Sequence, residues 1–321
     1  MKNLLKTDKE AGKIIKKEID RQQNGLVLIA SENFASEAVL EALGSPLTNK
    51  YAEGYPGRRY YGGNKFIDEI ENLAIERAKK LFLPKSEWKN WQVNVQPYSG
   101  SPANFAVYAA LLRPGEKLMG MTLSHGGHLT HGHKVSFSGK FFTSIQYNVS
   151  PKDYLLDYDQ ILKLAIKEKP KIIICGYTAY PRKIDFKKFS QIAKKVKAIL
   201  MADIAHIAGL IAGKVYPSPF PYADVVTTTT HKTLRGPRGA IIFAKNEYAE
   251  AINKAVFPGL QGGPHENNIA AMAVALGEAL KPSFKKYALQ IIKNAKALAK
   301  SLTQHGFKII TGGTDSHLIL V

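Results

Sequence analysis

The chain has 321 residues, enough for a large core and two domains, and its 45% hydrophobic content is that of an ordinary globular protein. No apolar run is long enough to span a bilayer, and Met1-Lys2-Asn3-Leu4-Leu5 leads into charge instead of an apolar signal core, so a cytoplasmic protein without membrane attachment is expected. A formal net charge of +19 raises nucleic-acid binding, but the lysines are spread over helical stretches (Lys79 and Lys80, Lys187 and Lys188, Lys194 and Lys195, Lys285 and Lys286) without interleaved aromatics, which reads as a solvated surface.

Residues 1–24 are charged, with Ile14, Ile15 and Ile19 at helical spacing; they predict a helix or arm of the kind that packs on a partner subunit. Leu26 to Ile29 is an apolar run that stops at Ala30-Ser31-Glu32-Asn33. Asn49 to Gly63 is too rich in glycine and proline for a helix and is expected to be a loop. Its four tyrosines, two arginines and Glu53 make it a ligand-facing surface, the alternative being tyrosines that cover a core edge. A helix follows over Phe66 to Phe82, with Phe66, Ile70, Leu73, Ala74 and Leu81 as its apolar stripe.

Val93 to Pro97 predicts a short strand that delivers Tyr98-Ser99-Gly100-Ser101-Pro102, after which a helix runs to about Leu112. A serine at the cap and proline at the first helical position leave free backbone N–H groups facing an anion. Leu123 to Gly132 contains His125, His128 and His131, with His133 just beyond. Their spacing is not that of a helical zinc motif and no thiol or carboxylate is near in sequence, so no metal is expected.

Helices at Leu155–Lys167 and Phe186–Val196 then alternate with strands at Lys171–Gly176 and Ala198–Ala202, the pattern of a mostly parallel sheet covered by helices. The lone cysteine, Cys175, reads as a small buried hydrophobe. In such folds ligands lie at the carboxyl ends of the strands, where Thr178, Asp203, His206 and Lys232 all fall. Asp203 could equally cap the turn that follows it.

Val225 to Thr230 predicts a strand running into His231-Lys232-Thr233-Leu234-Arg235-Gly236-Pro237-Arg238-Gly239, and a second apolar run follows from Ala240 to Ala244. An amine at a strand end, partly desolvated and beside His231, Arg235 and Arg238, is pushed toward its neutral, nucleophilic form, as a Schiff base with an aldehyde cofactor requires. The plainer alternative is a surface lysine. Phe257 to Pro264 is a glycine-rich turn. Helices over Asn267–Leu280 and Tyr287–Gln304, interrupted at Lys281-Pro282, precede expected strands at Phe307–Ile310 and from His317 onward.

Ile29-Ala30-Ser31-Glu32-Asn33, Asn49-Lys50-Tyr51-Ala52-Glu53-Gly54-Tyr55-Pro56-Gly57, Gly126-Gly127-His128-Leu129, Asp203-Ile204-Ala205-His206 and Thr227 to Gly239 together resemble the motifs of the serine hydroxymethyltransferase family, in the family's order. The resemblance extends from about Leu26 to Val321. It implies an α/β fold: an aspartate-aminotransferase-like (fold type I) large domain with a mostly parallel sheet over residues 25–280, behind an arm at 1–24, and an incomplete small α/β domain over 281–321. It also implies pyridoxal 5'-phosphate as cofactor, tetrahydrofolate as co-substrate, interconversion of serine and glycine, and a homodimer or homotetramer with sites built between subunits.

By that resemblance Lys232 would hold the cofactor covalently, Asp203 would pair with its ring nitrogen and His128 would stack on the ring. Gly100 and Ser101 would bind its phosphate, joined by Tyr51, Gly262 and Gly263 of a partner subunit. Thr178 and His206 would bond the phenolic oxygen or the substrate carboxylate. Ser31, Tyr61, Glu53 and His231 would surround the substrate, with Thr229 completing the catalytic set. Leu123, Gly127 and Leu129 resemble folate contacts. Thr178 stands where many relatives carry serine, and the chain stops before the family's carboxylate-gripping arginine, so a C-terminally truncated member is expected. The rival readings are another enzyme of the same fold, such as a threonine aldolase or an aminotransferase, and an inactive fragment with a basic RNA-binding surface.

Overall fold

Seven strands form one sheet in a computed structural model that describes residues 2–321. They are β1 (Trp91–Asn94), β2 (Lys117–Met121), β3 (Thr143–Tyr147), β4 (Ile172–Cys175), β5 (Ile199–Asp203), β6 (Val225–Thr229) and β7 (Ala240–Lys245). Their order across the sheet is β1-β7-β6-β5-β4-β2-β3. From β3 to β6 all neighbours are parallel, while β7 runs antiparallel to both β6 and β1.

Parallel strands are covered on both faces, so they need unbroken apolar runs. β4 is Ile-Ile-Ile-Cys with every residue fully buried, three of them β-branched and suited to the pleat. Burial also pushes the Cys175 thiol well above its usual range, in keeping with an inert packing role. Strand residues alternate between two cores. Ile173, Cys175, Leu200, Ala202, Val226, Ile241 and Phe243 belong to one; Ile172, Ile174, Met201, Val225 and Ile242 belong to the other.

The longer helices are α1 (Lys9–Asn24), α2 (Glu37–Leu43), α3 (Lys65–Phe82), α4 (Gly100–Leu111), α5 (Tyr158–Glu168), α6 (Phe186–Val196), α7 (Asn246–Lys254), α8 (Glu266–Ala279) and α9 (Pro282–Gln304). The first core is closed by α3, α5, α6, α8 and the start of α9, the second by α4 and α7. Caps decide several boundaries: Asp157 accepts the Gln160 N–H at 3.0 Å and Asp185 accepts the Lys188 N–H at 3.0 Å. Among the described residues no helix is long and apolar enough to cross a membrane.

Three expectations need correction. α9 opens at Pro282, five residues before the expected start, because proline lacks an N–H that the first helical position would not use. α4 likewise starts at Gly100 with Ser99 at its cap, so Pro102 is the third helical residue instead of the first. The strands expected at Phe307–Ile310 and from His317 do not form. Thr311 at φ +66° and Gly312 at φ +68° turn the chain, and the two segments share the bond from Ile310 N–H to Leu320 O (2.9 Å) without a ladder. The Asn49–Gly63 loop contains a small hairpin, Gly54–Tyr55 against Arg58–Arg59.

The chain divides into two units, one ending at Glu32 and one running from Asn33 to Val321. The first holds a short helix, Lys2–Thr7, and α1, which Asp8 caps by accepting the Ala11 N–H at 2.9 Å. Ile14, Ile15, Ile19, Leu28 and Ile29 are exposed, and Leu26 is 93% exposed. The second unit holds the whole sheet.

Candidate active site

β5 and β6 lie side by side with Asp203 opposite Thr227, so both strands deliver their carboxyl ends to one edge. Beyond Thr229 the chain turns tightly: Gly236 N–H donates to Thr230 O at 2.7 Å, and Thr230 Oγ1 donates to Pro237 O at 2.6 Å. The turn returns the chain to β7 and holds Lys232 at the mouth of the sheet. Asn33 Nδ2 donates to the Lys232 carbonyl at 2.9 Å, and Lys232 Nζ donates to Thr229 Oγ1 at 2.8 Å. Burial lowers the ammonium pKa; the charge of Asp203 opposes that shift and that of Arg238 adds to it. Burial thus disfavours the charged form of this side chain, in the direction a strand-end nucleophile needs.

Thr229 also meets the start of α4. A β-carbon built on Gly100 would lie 2.7 Å from Thr229 Cγ2, so only glycine allows the helix N-terminus to come this close to the lysine's strand. The first-turn N–H groups of α4, beginning at Gly100 and Ser101, have no partner within the helix and can receive an anion.

Asp203 ends β5 and is held on both oxygens. Oδ1 accepts the Ala205 N–H at 3.1 Å; Oδ2 accepts from His131 Nε2 at 3.0 Å and from Asn104 Nδ2 at 2.9 Å. Burial pushes this carboxyl up, but the hydrogen bond from His131, with lesser help from His128 and Asn104, holds it well below the usual carboxylate range. The His131 tautomer follows from its other nitrogen, since Nδ1 accepts the His128 backbone N–H at 3.3 Å and leaves Nε2 as the donor to Asp203.

Asn104 carries the network further. Its amide donates to Thr130 Oγ1 at 2.9 Å and accepts from Thr227 Oγ1 at 2.8 Å. The Thr130 hydroxyl is 2.8 Å from His128 Nδ1, which also accepts the Thr130 N–H at 3.2 Å. His128 is thus oriented by its own loop, and burial disfavours its charged form.

His206 and His231 flank the lysine electrostatically. Each has its pKa lowered to about 3, first by burial and then by the Lys232 charge. His206 Nδ1 lies 3.4 Å from His317 Nε2, with the two rings stacked at 5.6 Å. His231 Nδ1 is buried without a hydrogen-bond partner.

Histidines that stay neutral when folded but take a proton at their ordinary 6.5 when unfolded lower stability as pH falls through that window. Asp203 acts lower down, its contribution present above 3.8 and lost as pH falls through its depressed folded value. The thermal midpoint is therefore expected to drop between about pH 6.5 and 5, and less steeply in His206→Gln. A midpoint flat across that range in the unmodified protein would contradict this account.

The loop beyond β4 joins the same edge. Thr178 and Ala179 donate their N–H groups to Gly126 O at 2.9 and 3.1 Å. Gly127 packs on β2 so closely that a β-carbon would come 2.0 Å from Met121 O. Leu123 and Leu129 flank it, 37% and 43% exposed, and offer apolar surface to a ligand.

Tyr51, Glu53, Tyr61, Gly262 and Gly263 form a second group in the same unit. Tyr51 and Tyr61 meet edge to face at 5.4 Å, and a β-carbon on Gly262 would lie 3.3 Å from Glu53 Oε1. The charge of Glu53 is the main reason the Tyr51 hydroxyl is pushed up. Tyr98 ties this group together: its hydroxyl donates to Gly263 O at 2.7 Å and its ring stacks on His265 at 4.2 Å. Ser31 belongs to the first unit, in a turn closed by Glu32 N–H to Ile29 O at 2.9 Å.

Asn104, Thr130, Thr227, Tyr98 and His265 carry no motif signal of their own, and the histidine run alone gives His131 no role. His131 is in fact the donor to Asp203. Its three-residue spacing from His128 was the available signal. No group of three or more His, Cys, Asp or Glu side chains suited to a metal stands together among the described residues.

A mostly parallel sheet with helices on both faces, a strand-end lysine poised as an amine, a carboxylate held ionised and a helix N-terminus beside them define a pyridoxal-phosphate-dependent enzyme of fold type I. The family model for serine hydroxymethyltransferase matches residues 4–321, and the chain belongs to that family. It is 59% identical to the serine hydroxymethyltransferase of Desulfotalea psychrophila over 321 residues, covering all of this chain and 74% of that relative. Serine hydroxymethyltransferases of two Prochlorococcus marinus strains, MIT 9301 and MIT 9312, are each 58% identical over 322 residues, covering all of this chain and 75% of their own length. The residues fit the cofactor: the glycine at the start of α4 keeps the anion cradle open, and Asp203 is tuned to remain charged against a ring nitrogen.

Proposed function

We infer that this chain interconverts serine and glycine with transfer of the one-carbon unit to and from tetrahydrofolate, using pyridoxal 5'-phosphate. The observation that carries this reading is Lys232, its Nζ bonded to Thr229 and its ammonium form disfavoured, on the edge that also holds Asp203 and the start of α4. When bound, the cofactor supplies an aldehyde for a reversible carbon–nitrogen bond and a ring that accepts the electron pair released at the substrate's α-carbon.

The chain's own residues do the rest. Lys232 is the nucleophile, and burial favours its unprotonated form. Asp203 stays ionised, so a proton on a ring nitrogen facing it is retained. Gly100 and Ser101 offer N–H groups to a phosphate, and His128 offers a ring whose orientation Thr130 sets. Thr178, His206 and His231 supply hydrogen bonds without positive charge from the imidazoles. Leu123, Gly127 and Leu129 line the folate side, while Tyr61 faces the amino acid.

Tyr51, Glu53, Gly262 and Gly263 act on a partner subunit's site in a homo-oligomer. Their gathering into a group of their own supports that reading, as do the exposed isoleucines and leucines of the first unit, which a second copy would cover.

Glu53 is the proton carrier at the substrate hydroxyl and folate. Glu53→Gln is expected to keep the bound cofactor's visible absorbance but to slow folate-dependent transfer by about 10²- to 10⁴-fold, the range for one positioned acid–base group. Stopped assays with labelled serine measure it, and undiminished transfer would remove Glu53 from the role. Serine cleavage measured with and without tetrahydrofolate separates this function from that of an aldolase of the same fold, which would proceed equally well without folate.

A further inference from the structure

The loop that carries Glu53 is fastened from below by one side chain. The Arg59 side chain is 4% exposed, and its Nη1 donates to Ala52 O at 2.8 Å and Gly54 O at 3.0 Å, the carbonyls on either side of Glu53. The other nitrogens meet α3: Nε donates to Asp68 Oδ1 at 2.9 Å and Nη2 to Glu71 Oε2 at 2.7 Å. Gln96 braces the same point, donating to Gly54 O and to Glu71 Oε1, both at 2.9 Å. A third carboxyl, Glu266, stands 3.9 Å from Nη1. It opens α8 directly after the Gly262–His265 turn, and both of its oxygens are buried without a hydrogen-bond partner.

We propose that Arg59 is a positioning residue for Glu53, and that Glu266 is the buried acid whose charge state decides how firmly Arg59 holds the Glu53 loop. The proposal rests on the proton role of Glu53 given above.

The charges support it. Asp68, Glu71 and Glu266 face a single buried guanidinium, so ionising all three would leave uncompensated negative charge away from water. Burial lifts Glu71, yet Glu71 accepts two hydrogen bonds that favour its charged form. Glu266 accepts none, and its pKa is pushed up to about 8 by burial and then by Glu71, with Asp68 adding and Arg59 and Lys50 opposing. The groups facing it are therefore Asp68 and Glu71 on α3, Arg59 in the hairpin and Lys50 before it. At neutral pH Glu266 is uncharged and Nη1 is left to Ala52 and Gly54. Once ionised, Glu266 competes for Nη1, and the carbonyls flanking Glu53 lose the Arg59 donor, with Gly54 O keeping only Gln96.

A double-mutant cycle on the holoenzyme tests this, with kcat and KM for serine measured beside cofactor absorbance. Arg59→Lys keeps the charge but not the fork, so kcat is expected to fall roughly 10- to 100-fold, as for a misplaced catalytic group, with the absorbance retained. Because Arg59 acts through Glu53, Glu53→Gln combined with Arg59→Lys is expected to be no slower than Glu53→Gln alone.

Losses that multiply in the double variant overturn the proposal while leaving Glu53 its proton role. A fully active Glu53→Gln removes that role and the proposal with it. Should Arg59→Lys fail to fold, Glu266→Gln decides. Its ratio of kcat at pH 9 to kcat at pH 7 is expected to exceed that of the unmodified enzyme by up to about ten-fold, since roughly a tenth of an acid stays protonated one unit above its pKa. An unchanged ratio overturns the proposal.

Discussion

Lys232→Ala is expected to abolish the visible absorbance of the bound cofactor and to lower serine turnover on the order of 10⁴-fold, the upper end of what one positioned group contributes. The absorbance depends on a carbon–nitrogen double bond conjugated to the ring, which alanine cannot form. Lys232 is embedded in the turn by the Asn33 bond to its carbonyl and by the Thr230 contacts to Gly236 and Pro237, none of which needs the amine. The substitution should therefore leave the fold in place, and circular dichroism should be unchanged. Arginine at the same position is no substitute, because a guanidinium does not give up its proton in proteins. An unaltered spectrum in Lys232→Ala would remove the lysine from its role and, with it, the reading of the whole strand-end edge.

Asp203→Asn is expected to cost roughly 10²- to 10³-fold in kcat, the scale of losing one preorganised electrostatic contact to a developing charge. Asparagine keeps the shape and can still accept from His131 or Asn104, but it offers no charge to hold a proton on the ring nitrogen. His131→Gln is the informative companion. It preserves a donor toward Asp203 while removing the imidazole, so a smaller loss is expected, together with an Asp203 whose protonation begins at higher pH. The acid limb of the kcat profile should then move upward. If Asp203→Asn turned over serine at the unmodified rate, the carboxylate would be a turn cap and nothing more.

Much of this architecture is written in runs of neighbouring residues. The apolar run Ile172 to Cys175 reads as a strand buried on both faces, and the alternation of such strands with helices implies a parallel sheet with ligands at its carboxyl edge; the cap at Asp157, which starts its helix three residues after the expected Leu155, appears only in the structure. Lys232 and Asp203 were legible as candidates for the same reason: each lies at or just beyond the end of a strand whose limits local propensity sets. The expected strands near the C-terminus show the limit of that logic, since Phe307 to Ile310 has the composition of a strand but no ladder forms around Thr311 and Gly312.

Partnerships across the sheet were a different matter. His131 donates to Asp203 from 72 positions away, and Asn104 bonds Asp203 from 99 positions away. No periodicity records such contacts. They exist because the sheet order seats β5 beside β6 and brings the loop after β2 against both. Secondary structure follows from interactions within a few residues, whereas the charge state of Asp203 or Glu266 depends on which distant groups the completed fold encloses with it.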